Sequence, residues 1–267
     1  VLPWFLVGLV IFQGVLGMWT VTWQLKPLAV TAHLLGGMTT LSLLVWMWLA
    51  AGRRVEPAMD QSPAPRELRS EREAAFSFGK ESAADRARAP QGFAPRNEID
   101  GLRLFAGVAL LCVALQIFLG GWTSTNYAAL ACPDFPTCHG RWLPDIKSET
   151  VTEAYTLWRG LGINYEYGVL DNRERVTIHF FHRLGAILVT AVLLLLAIKL
   201  MSDRNSPFWR RYGLLILGVL TLQVAIGIFT VKLQLPLLLA AAHNGGAALL
   251  LLTMVCLNFF AWNSQRR

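Results

Sequence analysis

Six stretches of apolar residues, at 4–22, 28–50, 101–121, 178–200, 212–231 and 236–261, constrain this chain more than anything else in it. A run of about 20 apolar residues is the length that crosses a hydrocarbon core as a helix. None of the six contains Asp or Glu. In lipid each span must satisfy its own backbone polar groups, and runs of Leu, Val, Ala and Gly without alternation do that as helices rather than barrel strands. The expected fold is therefore all-α, a polytopic membrane helical bundle. With 15% charged residues, against about 25% in a typical soluble domain, the composition argues against a water-soluble enzyme.

The charges crowd into residues 51–98, 141–176 and 202–211. Sixteen of the 24 Lys and Arg fall in 51–98, in 199–211, at Arg103 and at the tail residues Arg266 and Arg267. By the positive-inside tendency these segments face the cytoplasm, both ends included, and the loop 122–177 faces outward. The net charge of +7 then reflects topology and contact with membrane lipid, with no nucleic acid required. Residues 51–98 are rich in Ala, Arg, Glu, Pro and Ser and read as a flexible cytoplasmic linker. It separates residues 1–50, with two spans, from residues 99–267, with four.

Those two parts are related. A shift of 210 residues aligns Gln13 with Gln223, Gly17 with Gly227, Thr20 with Thr230, Gln24 with Gln234, His33 with His243 and Gly36 with Gly246, and 11 of the 29 positions from 13 to 41 are identical without a gap. A third, partial copy reads Gln116, Gly120, Trp122 and Thr123. Internal duplication accounts for this, as in other membrane folds built from repeats.

Three of the five histidines, His33, His182 and His243, each fall a few residues inside the outer end of a span. A polar ring in lipid is costly and is expected to face the bundle interior. Neutral imidazole is a ligand for heme iron, and two histidines on facing helices can hold one heme. Gly36, Gly37, Gly185, Gly245 and Gly246 beside them would let a flat macrocycle approach the backbone. The competing reading is three histidines hydrogen-bonded within the bundle. His179 falls on a neighbouring face, as a further ligand or a pocket-lining residue, and His139 reads as a loop residue.

Cys112 and Cys256 fall inside spans as small buried hydrophobes. Cys132 and Cys138 belong to the outer loop, where thiols can oxidise, and Pro133 and Pro136 between them stiffen the segment. A disulfide there would contribute roughly 2 to 3 kcal/mol by loop entropy. A metal pair completed by His139 is the alternative, although it lacks further ligands at metal-site spacing.

The segment from Gly120-Gly121-Trp122 to Cys132-Pro133-Asp134-Phe135-Pro136-Thr137-Cys138, with Ile178-His179-Phe180-Phe181-His182-Arg183 and Ala242-His243-Asn244-Gly245-Gly246, resembles the heme A synthase family. The resemblance covers nearly all the chain outside 51–98. It implies eight helices in two repeated four-helix halves, each holding a heme between two histidines. The second half would hold heme b, with His182 and His243 matching its axial ligands. The first would bind heme O, with His33 matching one ligand of that heme iron, and oxidise a methyl group to the formyl of heme A for assembly of terminal oxidase. Cys132 and Cys138 match the family's disulfide pair, and Arg183 is the candidate partner for a heme propionate, with a snorkelling helix-end arginine as the alternative.

The resemblance further implies a bacterial inner membrane location, with heme O synthase, an electron acceptor and a second copy of the chain as partners. Applying the 210-residue shift to His182 puts its first-half counterpart near position −28, ahead of Val1. The helix carrying it would also supply the family's catalytic carboxylate, so the chain reads as lacking its first two helices. No catalytic residue is named within it, and it is expected to be inactive alone. Two other classes stay open: a di-heme b-type electron-transfer cytochrome, and a transporter or assembly scaffold without heme.

Overall fold

The computed structural model describes residues 2–55, 96–203 and 206–263. The expected linker at 51–98 lies almost wholly outside the described residues, as do Arg266 and Arg267. All six apolar runs are helices: α1 (Leu2–Thr22), α2 (Pro27–Val55), α3 (Arg96–Thr125), α5 (Asn172–Ser202), α6 (Pro207–Lys232) and α7 (Leu237–Asn263). A short helix, α4 (Ser148–Ala154), lies in the outer loop, where the sequence reading has none. Each long helix is apolar and long enough to cross a membrane.

The helix boundaries follow from local chemistry. At the start of α6 the Ser206 hydroxyl accepts from Trp209 N, and Pro207 occupies the first helical position, where no backbone donor is needed. Three helices end alike on the side of the 122–177 loop. Gln24 and Leu25 after α1, and Gln234 and Leu235 after α6, take positive φ between 48° and 63°. Leu25 N donates to Thr20 O (2.9 Å) and Leu235 N to Thr230 O (2.8 Å). After α3, Tyr127 has φ 53° and Ala128 N donates to Thr123 O (2.9 Å). This is a left-handed cap that occupies the last helical carbonyls. Its residues stand in register with the repeats, so the duplication extends from side chains to backbone turns.

α3 packs against α5 and α7, and α6 packs against the same two helices. Among the described residues α5 and α7 do not pack directly on each other, so they occupy opposite corners of a four-helix ring. α2 lies against α3 and α7, and α1 against α2. Gly121 on α3 allows close approach of Thr31 and Leu34 on α2, since a Cβ there would stand 2.9 Å from Leu34 Cδ2.

The apolar core fills one end of the ring. Ala106, Ala109 and Val113 of α3, Leu193, Leu196 and Ala197 of α5, Ile216 of α6 and Met254 and Leu257 of α7 are buried together. Asn258 Nδ2 donates to Ala106 O (2.9 Å) and Tyr212 Oη to Thr253 O (2.8 Å), tying helices across the same end. A smaller cluster of Trp122, Ala128, Ala154, Leu170 and Ile178 closes the end beneath the 122–177 loop, here called the outer end. The histidine layer lies between the two along α5, since Ile178 belongs to the outer cluster and Val189 to the inner one.

Candidate functional site

α5 carries His182 and α7 carries His243, so the two expected ligands come from diagonal corners of the ring. His33 occupies the equivalent position on α2 and is exposed.

Each of the three rings is seated by the helix that precedes it, through the same pair of residues. On that helix a glutamine and a glycine are four residues apart and share a face. The His33 ring lies over Gly17, where an added Cβ would come 3.3 Å from Cε1; the same distance is 3.2 Å for Gly120 and His182, and 2.8 Å for Gly227 and His243. Gln116 Nε2 lies 3.1 Å from His182 Nδ1 and donates to His182 O at 3.0 Å. Gln13 donates to His33 Nδ1 (2.9 Å) and His33 O (3.0 Å) and accepts from Gly37 N (3.2 Å). Gln223 Nε2 donates to His243 O at 3.0 Å. The glutamine amides in turn occupy the space above Gly36, Gly185 and Gly246, where a Cβ would collide with them.

Nδ1 of His33 and His182 thus faces an amide, and among the described residues no protein group hydrogen-bonds Nε2 of His33, His182 or His243. His243 Nδ1, Gln116 Oε1 and Gln223 Oε1 are buried without a protein partner. Two imidazoles on non-adjacent helices of one ring, each with Nε2 unengaged by protein, are the donor set that a six-coordinate heme iron takes. The residues present fit that group.

His179 and Arg183, one turn apart on α5, do different work. His179 is buried, with Nδ1 3.2 Å from Cys132 N and Nε2 3.2 Å from Arg183 Nε. Two N–H groups thus face the ring, whose one acceptor nitrogen is used within the protein in either tautomer, and His179 lines the wall of the site beside the 122–177 loop. Arg183 also donates from Nη1 to Asp134 O and Thr137 O (both 2.8 Å) and from Nη2 to Cys132 O (2.6 Å). The guanidinium reads as a clamp on the outer loop, not as a snorkelling helix-end charge.

Cys132 and Cys138 are joined as a disulfide. Within the segment they close, the Asp134 carboxylate accepts from Thr137 Oγ1, from His139 N (2.6 Å) and from Gly140 N (2.9 Å). The Thr137 hydroxyl, then the Gly140 and His139 amides, hold the Asp134 carboxyl well below the usual carboxylate range. His139 Nε2 lies 2.8 Å from Ala131 O, and no cluster of metal-ligating side chains occurs among the described residues. The metal alternative for Cys132, Cys138 and His139 has no support.

Sequence reasoning missed Lys26, in the turn between α1 and α2. It is buried, donates to Gly160 O (2.6 Å) and sits 3.0 Å from the centre of the Trp158 ring. Tyr165 N donates to Gln24 O (3.0 Å) in the same place, so residues 158–165 strap the outer loop onto the α1–α2 turn. Glutamine's part in seating the histidines was likewise visible only as repeated letters.

The chain is matched over residues 1–78 and 81–255 by the family COX15-CtaA, described as cytochrome oxidase assembly protein. It is 41% identical over 264 residues to a heme A synthase of Shewanella oneidensis, an alignment covering 99% of this chain and 67% of that protein. A heme A synthase of Beijerinckia indica is 30% identical over 176 residues, with 66% of this chain and 45% of that protein aligned. One from Chelativorans sp. is 29% identical over 229 residues, covering 85% and 57%. The chain thus spans about two thirds of the first relative and about half of the other two.

Proposed function

The chain belongs to the COX15-CtaA family of cytochrome oxidase assembly proteins, and from that premise we propose that it works as a heme A synthase, a membrane oxidoreductase. One observation carries the reading: His182 and His243 stand on non-adjacent helices of one four-helix ring, each with Nε2 unengaged by protein. On this reading heme b is the resident group of α3, α5, α6 and α7, held by those two nitrogens. When bound it supplies a one-electron route out of the site.

Heme O is the substrate, and His33 on α2 is one of its axial ligands. Oxidising one methyl among several on a macrocycle requires a fixed orientation, which a histidine seated by Gln13 and Gly17 supplies at one point of attachment. At the second heme, the loop clamped by Arg183 closes the outer end of α5 and limits entry of water. Arg183 has one Nη2 hydrogen beyond the four it directs at protein acceptors, and that hydrogen is its means of reaching a propionate.

We assign the protein to the bacterial inner membrane, with the 122–177 loop outward and residues 51–98 in the cytoplasm. Heme O synthase would deliver the substrate, an electron acceptor would reoxidise the resident heme, and the protein would pair with a second copy. Expression in cells that make heme O and lack their own heme A synthase tests the activity. The expected result, for the chain joined to the two preceding helices that the family resemblance implies, is extractable heme A, lost in His33→Ala. Bound heme with heme O unconverted would favour a di-heme electron-transfer cytochrome, and protein without a Soret band would favour a transporter or assembly scaffold.

A further inference from the structure

The geometry points to Gln116 and Gln223 as positioning residues that fix the ring plane and tune the basicity of the heme-ligating histidines, with Gln13 doing the same for His33. This rests on the reading of His182 and His243 as axial ligands. Three observations carry it. The contact recurs three times, in every copy of the repeat, with the amide nitrogen 3.0 Å from the carbonyl of the histidine it serves. Each amide occupies a seat that only glycine provides: an added Cβ would collide with the Gln13 amide at Gly36, and would fall 2.3 Å from Gln116 Oε1 at Gly185 and 2.2 Å from Gln223 Oε1 at Gly246. A second glycine on the glutamine's own helix lets the ring edge approach. The module is therefore Gln and Gly at a spacing of four, facing His and Gly at a spacing of three. Its cost in lipid, a polar amide in every copy, is otherwise unexplained by packing.

The chemistry follows from the imidazole. A ring that gives Nε2 to a metal carries its proton on Nδ1, and a hydrogen-bond acceptor facing that proton makes the ligand more basic and fixes its rotation. The glutamine is the polar group at that edge of the His182 ring. A terminal amide can present either hydrogen or oxygen. Its nitrogen serves the histidine carbonyl; with the proton on Nδ1, turning the amide presents the oxygen, at the expense of that carbonyl bond. The buried and unpartnered Gln116 Oε1 and Gln223 Oε1 are the acceptors this requires.

The test is redox titration and low-temperature EPR of the heme-loaded protein in membranes, for wild type, Gln116→Met, Gln223→Met and Gln116→Glu. The methionine variants keep length and remove the acceptor, so they are expected to raise the midpoint potential and shift the low-spin g values while retaining bound heme. Gln116→Glu keeps the shape and supplies an acceptor, so its potential should stay at or below wild type, and it reads the same contact if the methionine variant fails to fold. Potentials and g values identical to wild type in the variants that retain heme would overturn the inference. A wild-type spectrum that is not bis-histidine low-spin would overturn the ligand assignment beneath it, which keeps the two failures apart.

Discussion

Arg183 and Asp134 show single side chains organising a segment far from them in sequence. Arg183 gathers the carbonyls of Cys132, Asp134 and Thr137, and Asp134 gathers two amides and a hydroxyl. A free carboxyl of this kind titrates near about 3.9, and the folded value is lower. A lowered folded value means that the carboxylate's contribution is fully present above the unfolded value and is lost as pH falls through the folded one. Hydrogen exchange at His139 and Gly140 should therefore stay slow and pH-independent, after correction for intrinsic rates, from neutrality to about pH 5. Protection should decline only in strongly acid solution, and Asp134→Ala should remove it at every pH. Equal protection in wild type and variant would contradict this. None of it was legible in the sequence, because the partners of Arg183 are backbone carbonyls more than 40 residues earlier, and backbone groups carry no letter. The charge of Arg183 announces an acceptor of some kind, but not that three of its acceptors are carbonyls of the loop.

At the scale of helices, most of the architecture was legible. Lipid removes the alternatives that make soluble sequences ambiguous, so length and apolarity place each span. The structure extends them by a few residues, to Val55 at the end of α2 and to Thr125 at the end of α3, because a helix continues past its apolar run into polar residues that lie outside the hydrocarbon. α4 escaped notice because seven residues give no periodicity; it is held by Trp122 Nε1 donating to Ala154 O (3.0 Å) and by stacking of Trp122 on Tyr155. The glycine letters were legible too, but not their partners. Gly120 and Gly227 are expected to tolerate alanine unequally. A Cβ at Gly227 would meet His243 Cε1 at 2.8 Å, and one at Gly120 would meet His182 Cε1 at 3.2 Å. Overpacking of this kind costs about 1 to 3 kcal/mol. Gly227→Ala should shift the heme spectrum more and release heme at a lower temperature than Gly120→Ala, and the reverse order would count against ring displacement as the cause.

The whole molecule divides its labour along the membrane normal. One end of the α3, α5, α6 and α7 ring is a dry apolar core, and the other carries the histidine layer beneath a loop tied down by Arg183 and the Cys132–Cys138 bond. Met254→Ala, in the core and about three turns beyond His243, is expected to lower stability by about 2 to 5 kcal/mol without moving the Soret maximum of the folded protein; thermal denaturation followed at that maximum reads both. The same division explains what the sequence could reveal of function. Histidines at one depth and in repeat register pointed to a shared ligand role, whereas the diagonal relation of α5 and α7 depends on which helices pack together and needed the fold. The central claim is that these two helices hold one heme between them. Low-temperature EPR of the ferric protein, compared with His182→Met and His243→Met, tests it most directly. The account predicts a bis-histidine low-spin signal that either substitution alone abolishes or converts to another ligand type. Retention of the wild-type signal in both single variants would contradict it.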